Sequence, residues 1–239
     1  MSYGRIGVIG AMDSELAALI AALAQPARET VQGLAFHTGR LGAREVVLVR
    51  CGIGKVSAAR CTQVLIDRFA PAAVINTGIA GGLGAGLAVG DIVVADGLVQ
   101  HDFDAAPIGF VRGCLCMGDP GAPTVFTPDE PLSALLARTA GDAAGAQRVH
   151  RGLIATGDQF ISGAAAKAAL RRAFPAAMAA EMEGGAVAQA ASMSGVPFAV
   201  VRAISDLADG TAAASFEQFE QHAADISAAA VLQALALLD

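Results

Sequence analysis

AAMAAEMEGGAVAQAASMSGVPFAVVRAISD, residues 176–206, reads as strand, helix and strand in succession. The run AAMAAE is short and apolar, residues 184–194 carry apolar side chains at helical spacing, and FAVVRAIS (198–205) is a β-branched strand candidate. From Ala173 to Val201 the only charged side chains are Glu181 and Glu183. Acids are almost never fully buried unless paired, so this setting favours a use for them over a solvated face. If the strand extends to Glu183, both acids point to one face; if the helix begins there, one of them caps it.

The same alternation runs outward in both directions. Strand candidates are RIGVIG (5–10), LAFHTGRL (34–41), REVVLVRC (44–51), AAVINTG (72–78), DIVVADGLV (91–99) and VHRGLIATG (149–157). Apolar spacing at i, i+3 and i+4 predicts helices over residues 14–24, 55–69, 130–143, 163–173 and 215–238 as well. ETVQGLAFHTGRLGAREVVLV reads as a hairpin with Gly42 in its turn. Together these predict an α/β fold of three layers, a mixed, mostly parallel central sheet with helices on both faces. GDPGAPTVFTP (118–128) is the best candidate loop but too short to separate domains, so residues 1–239 form a single domain.

Composition narrows the partners. The chain has 239 residues, is 54% hydrophobic and 16% charged, and carries a net charge of −6, which argues against nucleic acid or an anionic membrane as partner. The long uncharged run from Phe69 is broken by Pro71, Asn76 and several glycines, which suits a buried strand and loop better than a membrane span. Four cysteines without a CxxC pair, and residues 1–12 without a basic leader, predict reduced thiols in the cytoplasm and no targeting peptide.

In open α/β sheets ligands bind beyond the carboxyl ends of strands, and three acids sit at such ends. They are Glu15 after RIGVIG, Glu183 after AAMAAE, and Asp206 after FAVVRAIS. Two of them have a plainer reading: Glu15 as a first-turn acid favoured by the helix dipole, Asp206 as a helix cap or the partner of Arg202. Other candidates fail on context. CGIGKVSA lacks the first glycine of a phosphate-binding loop, since Val49 stands five before Gly54. NTGIAGGLGAG leads into a strand instead of a helix, and QHDFD (100–104) has no second ligand cluster to make a metal site. Nothing calls for a metal or redox cofactor.

Seven motifs occur in order along nearly the whole chain: RIGVIGAMDSEL, CGIGKVSAA, INTGIAGGL, VGDIVVAD, RGLIATGDQFI, AEMEGGAVA and VRAISDLAD. Together they resemble the 5′-methylthioadenosine/S-adenosylhomocysteine nucleosidases, within the wider nucleoside phosphorylase superfamily. The resemblance implies hydrolysis of an adenine N-glycosidic bond, giving adenine and a 5-thio-substituted ribose, with no cofactor. It implies that Glu15 is the general base on the attacking water and Asp206 the acid serving adenine N7. Glu183 would hold the ribose 2′- and 3′-hydroxyls, with Met182 packed on the sugar and Arg202 nearby. Phe160 would stack on the base while the backbone around Ile161 reads its edge, and Met12, Ile53 and Phe216 would line the ribose and 5′-thio pocket.

The sequence departs from the family pattern in places. Ile79 stands where many members have Ser, removing a hydroxyl near the base, and Gly184 and Gly185 replace the commoner Ala-Thr, which loosens the helix start. The resemblance further implies a homodimer in which loop 101–118 covers the neighbouring site, here through Ile108 and Phe110. The alternatives are a nucleosidase for another 5′-substituted adenosine, a phosphate-dependent phosphorylase, and a non-catalytic nucleoside binder. A binder needs neither Glu15 nor Asp206, and an anion at position 15 repels phosphate.

Overall fold

The computed structural model describes residues 4–144 and 148–238. β1 (Ile6–Gly10), β4 (Arg44–Arg50), β5 (Ala73–Gly82) and β10 (Phe198–Asp206) are near-continuous apolar runs. Strands of that kind are covered on both faces, and these four pair in parallel in the order β4-β1-β5-β10. β2 (Ala24–Val31) and β3 (Leu34–Leu41) extend the sheet beyond β4 as antiparallel edge strands. On the other side β6 (Ile92–Gln100), β8 (Val149–Thr156) and β9 (Ala177–Glu181) run from β10 back to β5, so this part of the sheet closes on itself. β7 (Val125–Phe126) pairs with β6. The sheet is mixed as expected, with antiparallel ladders at its edge and where it closes.

Helices cover both faces. α1 (Asp13–Ala21), α3 (Glu130–Ala144) and α6 (Ala212–Leu237) pack on one side, around Leu16, Leu132, Leu136 and Val231. α2 (Lys55–Phe69) and α5 (Gly184–Met193) pack on the other, around Ala58, Leu65, Val187 and Ala191. α4 (Ala164–Ala173) closes a smaller cluster with Leu170, Phe174 and Leu83. Each large aliphatic side chain fully buried in these layers contributes roughly 1.5–3 kcal/mol.

Three elements differ from the sequence reading. The helix predicted over 14–24 ends at Ala21, and β2 begins at Ala24, before the predicted hairpin. β2 is exposed and polar along most of its length and contains Pro26, which only an edge strand tolerates, so it carries no apolar alternation to detect. β7 lies inside the segment read as a loop. Gln32 and Gly33 join β2 to β3 with φ of 50° and 79°, the left-handed turn that matches strand twist.

Two features aim the chain at the site. The ends of β5 and β9 meet antiparallel, with Gly81 opposite Ala180. In β10 the register against β5 shifts between Ile204 and Asp206, so Ser205 is an inserted residue. This bulge breaks the alternation that would have set Asp206 on the same face as Arg202.

Candidate active site

Glu15 sits on the first turn of α1, just past the end of β1. Its Oε2 accepts the N–H groups of Ala11 at 2.6 Å and Met12 at 3.0 Å, and its Oε1 that of Ile79 at 3.1 Å. The Met12 contact is the reciprocal half of a capping box. Room for this carboxylate comes from Gly78, where a Cβ would lie 2.4 Å from Glu15 Oε1. Burial pushes the Glu15 pKa up, against the pull of Arg202 and the three N–H groups.

Glu181 and Glu183 divide two tasks between them. Glu181 ends β9 and accepts from the N–H groups of Glu183 and Gly184 at 3.1 and 2.6 Å, which caps the start of α5. It also accepts from the Thr156 hydroxyl and lies 2.5 Å from Arg202 Nη2. Among the described residues, the Glu183 carboxylate accepts one hydrogen bond, from the Gly54 N–H at 2.9 Å, which leaves its other oxygen for a ligand. Burial, reinforced by the negative charge of Glu181, pushes the Glu183 pKa up to about 8. The Gly184–Gly185 start of α5 is held, not loosened: the Gly185 N–H donates to Thr156 Oγ1 at 2.6 Å, and a Cβ there would lie 2.8 Å from that oxygen.

Asp206 is 1% exposed. Its Oδ1 accepts from the Ala208 N–H at 2.8 Å and its Oδ2 from the Ser205 hydroxyl at 2.9 Å. Burial raises its pKa, only partly offset by those two donors. Lys167 reaches over from α4 to donate to the carbonyls of Gly82 and Leu207, tying together the chain ends on either side of this acid.

Glu15, Glu183 and Asp206 line one cleft of about 640 Å³, counted with its open mouth. Phe160 and Phe216 form an aromatic wall, edge to face at 85° with centroids 5.7 Å apart. Met12, Ile53, Ile79, Ile161 and Met182 complete the lining expected from sequence. Sequence reasoning missed Gln159 and Ser205 and left Glu181 undecided, although all three border the cleft. Ser205 and Gln159 stand next to Asp206 and Phe160, and that adjacency was the only signal.

Arg202, expected near the sugar, does not line it, and Ile108 and Phe110, assigned by the resemblance to a neighbouring site, lie outside it too. Arg202 is 1% exposed and outside the cleft lining, held in the sheet by Glu181, Asn76 Oδ1 and the Asn76 and Val201 carbonyls, so it does not stand beside the sugar as expected. A buried guanidinium needs acceptors on several N–H groups, and the strand interior supplies them. Ile108, 74% exposed, and Phe110 lie on the loop after β6, away from this cleft. No side chain lining the cleft is cationic, and among the described residues no cluster of His, Cys, Asp and Glu could hold a metal.

The chain is similar to known proteins along nearly its whole length. The model of the phosphorylase superfamily matches residues 5–236. The 5′-methylthioadenosine/S-adenosylhomocysteine nucleosidase of Actinobacillus succinogenes is 42% identical, over 98% of this chain and 100% of that protein. The chain belongs to this nucleosidase family. Among solved structures, the S-adenosylhomocysteine nucleosidase of Streptococcus pyogenes, in complex with 5-methylthiotubericidin, matches with a TM-score of 0.92 and 39% identity, covering 100% of this chain and 99% of that one. The 5′-methylthioadenosine/S-adenosylhomocysteine nucleosidase of S. pneumoniae, with the transition-state inhibitor MT-ImmA, matches with a TM-score of 0.91 and 40% identity, covering 98% and 100%. For this member of the nucleosidase family, three buried acids and an aromatic wall in one apolar cleft are thus the features any account of its chemistry must use.

Proposed function

We propose that the chain hydrolyses the N-glycosidic bond of 5′-methylthioadenosine and S-adenosylhomocysteine, releasing adenine and the 5-thio-substituted ribose. The observation that carries this reading is the meeting of Glu15, Glu183 and Asp206 in one cleft beside the Phe160–Phe216 wall. Adenine stacks on Phe160, with the backbone at Ile161 along its edge. Glu183 takes the 2′- and 3′-hydroxyls, and Met182 packs on the sugar between Met12, Ile53 and Phe216.

The chemistry follows from charge. Cleavage builds positive charge at C1′ and negative charge on the departing purine. Asp206 gives a proton to N7 as the C1′–N9 bond breaks, so the electron pair leaves on a neutral base. Glu15 takes a proton from the water whose oxygen bonds to C1′. A carboxyl whose pKa is raised by burial is both the stronger base at position 15 and the better-protonated acid at position 206. A cleft lining without cationic side chains, in which Glu15 and Glu181 already occupy the N-termini of α1 and α5, supports water over phosphate as nucleophile.

The same reading makes the protein a homodimer. Exposed Ile108, Val111 and Met117 on loop 101–118 support a partner surface, with Ile108 and Phe110 reaching toward the neighbouring site. The free cysteines and the lack, among the described residues, of any helix long and apolar enough to cross a membrane support a cytoplasmic setting. The test is chromatographic identification of products from a panel of 5′-substituted adenosines. Cleavage of both thioethers ahead of 5′-deoxyadenosine and aminodeoxyfutalosine supports the assignment; preference for either of the latter transfers it to that substrate.

A further inference from the structure

Two segments that border the cleft, and the start of loop 101–118, converge on a half-hidden ion pair outside it. Lys55 opens α2 with its Nζ 2.6 Å from Asp102 Oδ1, and the two side chains are only 19% and 14% exposed. Asp102 Oδ2 accepts the Asp158 N–H at 2.9 Å, and Asp158 Oδ1 in turn accepts the Lys55 N–H at 2.8 Å. The contacts form a closed cycle. It joins the turn before α2, the start of loop 101–118 and the segment carrying Phe160.

Electrostatics explain why these residues are paired. A lysine at a helix N-terminus faces the positive end of the dipole, and its charge there needs nearby anions. Burial pushes Asp102 up, but the Lys55 ammonium and the Asp158 N–H outweigh it and hold the carboxyl below its ordinary value. None of the three residues lines the cleft, but Lys55 and Asp158 each stand two positions from a residue that does, Ile53 and Phe160. Gly54, beside Lys55, adopts φ of +95° and gives its N–H to Glu183. A Cβ at Gly54 would lie 3.0 Å from Asp158 Oδ1, so that carboxylate packs directly on the turn.

We propose that the Lys55–Asp102–Asp158 cycle is a positioning device that fixes the Gly54 N–H on Glu183 and holds Phe160 over the base, coupling the sugar contact to the base contact. This rests on the nucleosidase reading for the identity of the ligand. Severing the cycle frees the turn, and the Glu183 carboxylate loses the Gly54 N–H. The damage falls on substrate recognition rather than on the acid step, because Asp206 belongs to a different strand end.

The test is a double-mutant cycle of Lys55→Met with Glu183→Gln, read as KM and kcat for methylthioadenosine. Misplacing a binding group by about 1 Å costs up to roughly 10²-fold, so Lys55→Met alone raises KM by roughly 10- to 100-fold with kcat far less changed. In the Glu183→Gln background the same change has an effect several-fold smaller, and Lys55→Arg restores most of the lost affinity. Equal effects in both backgrounds, or an unchanged KM in Lys55→Met, would overturn the proposal. If Lys55→Met fails to fold, Asp102→Asn, of the same size, takes its place under the same criteria. A wild-type chain that releases no adenine refutes the nucleosidase reading instead. The cycle is then judged on adenosine binding by calorimetry, where additive effects overturn the positioning role.

Discussion

Arg202 Nη2 lies 2.5 Å from Glu181 Oε2, and both side chains are 2% exposed. This pair answers what one of the two adjacent acids is for: Glu181 neutralises an arginine locked in the strand interior and caps α5, leaving Glu183 free for a ligand. Breaking a buried pair leaves an uncompensated charge at a cost of about 3–5 kcal/mol. Glu181→Gln is therefore expected to lower the stability measured by urea unfolding by that amount. A change below about 1 kcal/mol, the range of an exposed pair, would show that Asn76 and the Val201 carbonyl satisfy Arg202 without Glu181.

Asp206→Asn keeps the shape of the side chain and removes the proton that the proposed mechanism sends to N7. Losing a general acid costs about 10²- to 10⁴-fold in rate, so turnover of methylthioadenosine falls by that factor while nucleoside binding persists. Near-native turnover of a sequence-verified variant would remove Asp206 from the mechanism.

Glu183→Gln is expected to weaken ribosides more than 2′-deoxy substrates, because the proposed contact is a charge-assisted hydrogen bond to sugar hydroxyls worth about 1.5–3 kcal/mol. Comparing KM for adenosine and 2′-deoxyadenosine decides it, and an equal loss on both places the clamp elsewhere.

The same residue sets a pH dependence. The Glu183 pKa is raised to about 8, first by burial and then by Glu181, so the free protein holds this proton below that pH. A ligand whose hydroxyls donate to the carboxylate must expel the proton, so binding strengthens as pH rises toward 8 and levels off beyond it. KM for methylthioadenosine is expected to fall from pH 6 to 8, and Glu183→Gln to flatten that limb. A KM that rises over the same range contradicts the assignment.

Much of this site was legible because strand-to-helix junctions announce themselves. Acids at 15, 183 and 206 follow β-branched or apolar runs, and the structure brings all three to one cleft. What stayed hidden depended on departures from simple period. The bulge at Ser205 breaks the alternation from which an Arg202–Asp206 pair could be drawn, and a one-residue insertion leaves no mark in composition. Arg202 is invisible as a buried residue because its acceptors, Asn76 and Glu181, come from distant strands. β2 escaped notice because an exposed edge strand has no reason to alternate.

The central claim is that Glu15 activates water, not phosphate, and that no cation waits in the cleft for an anion. Adenine release from methylthioadenosine, followed while phosphate is titrated from none to millimolar levels with the sugar product identified, tests it most directly. The account predicts full turnover without phosphate, free 5-methylthioribose as product, and loss of both in Glu15→Gln. A rate that climbs from near zero with phosphate, or a sugar 1-phosphate product, would contradict it.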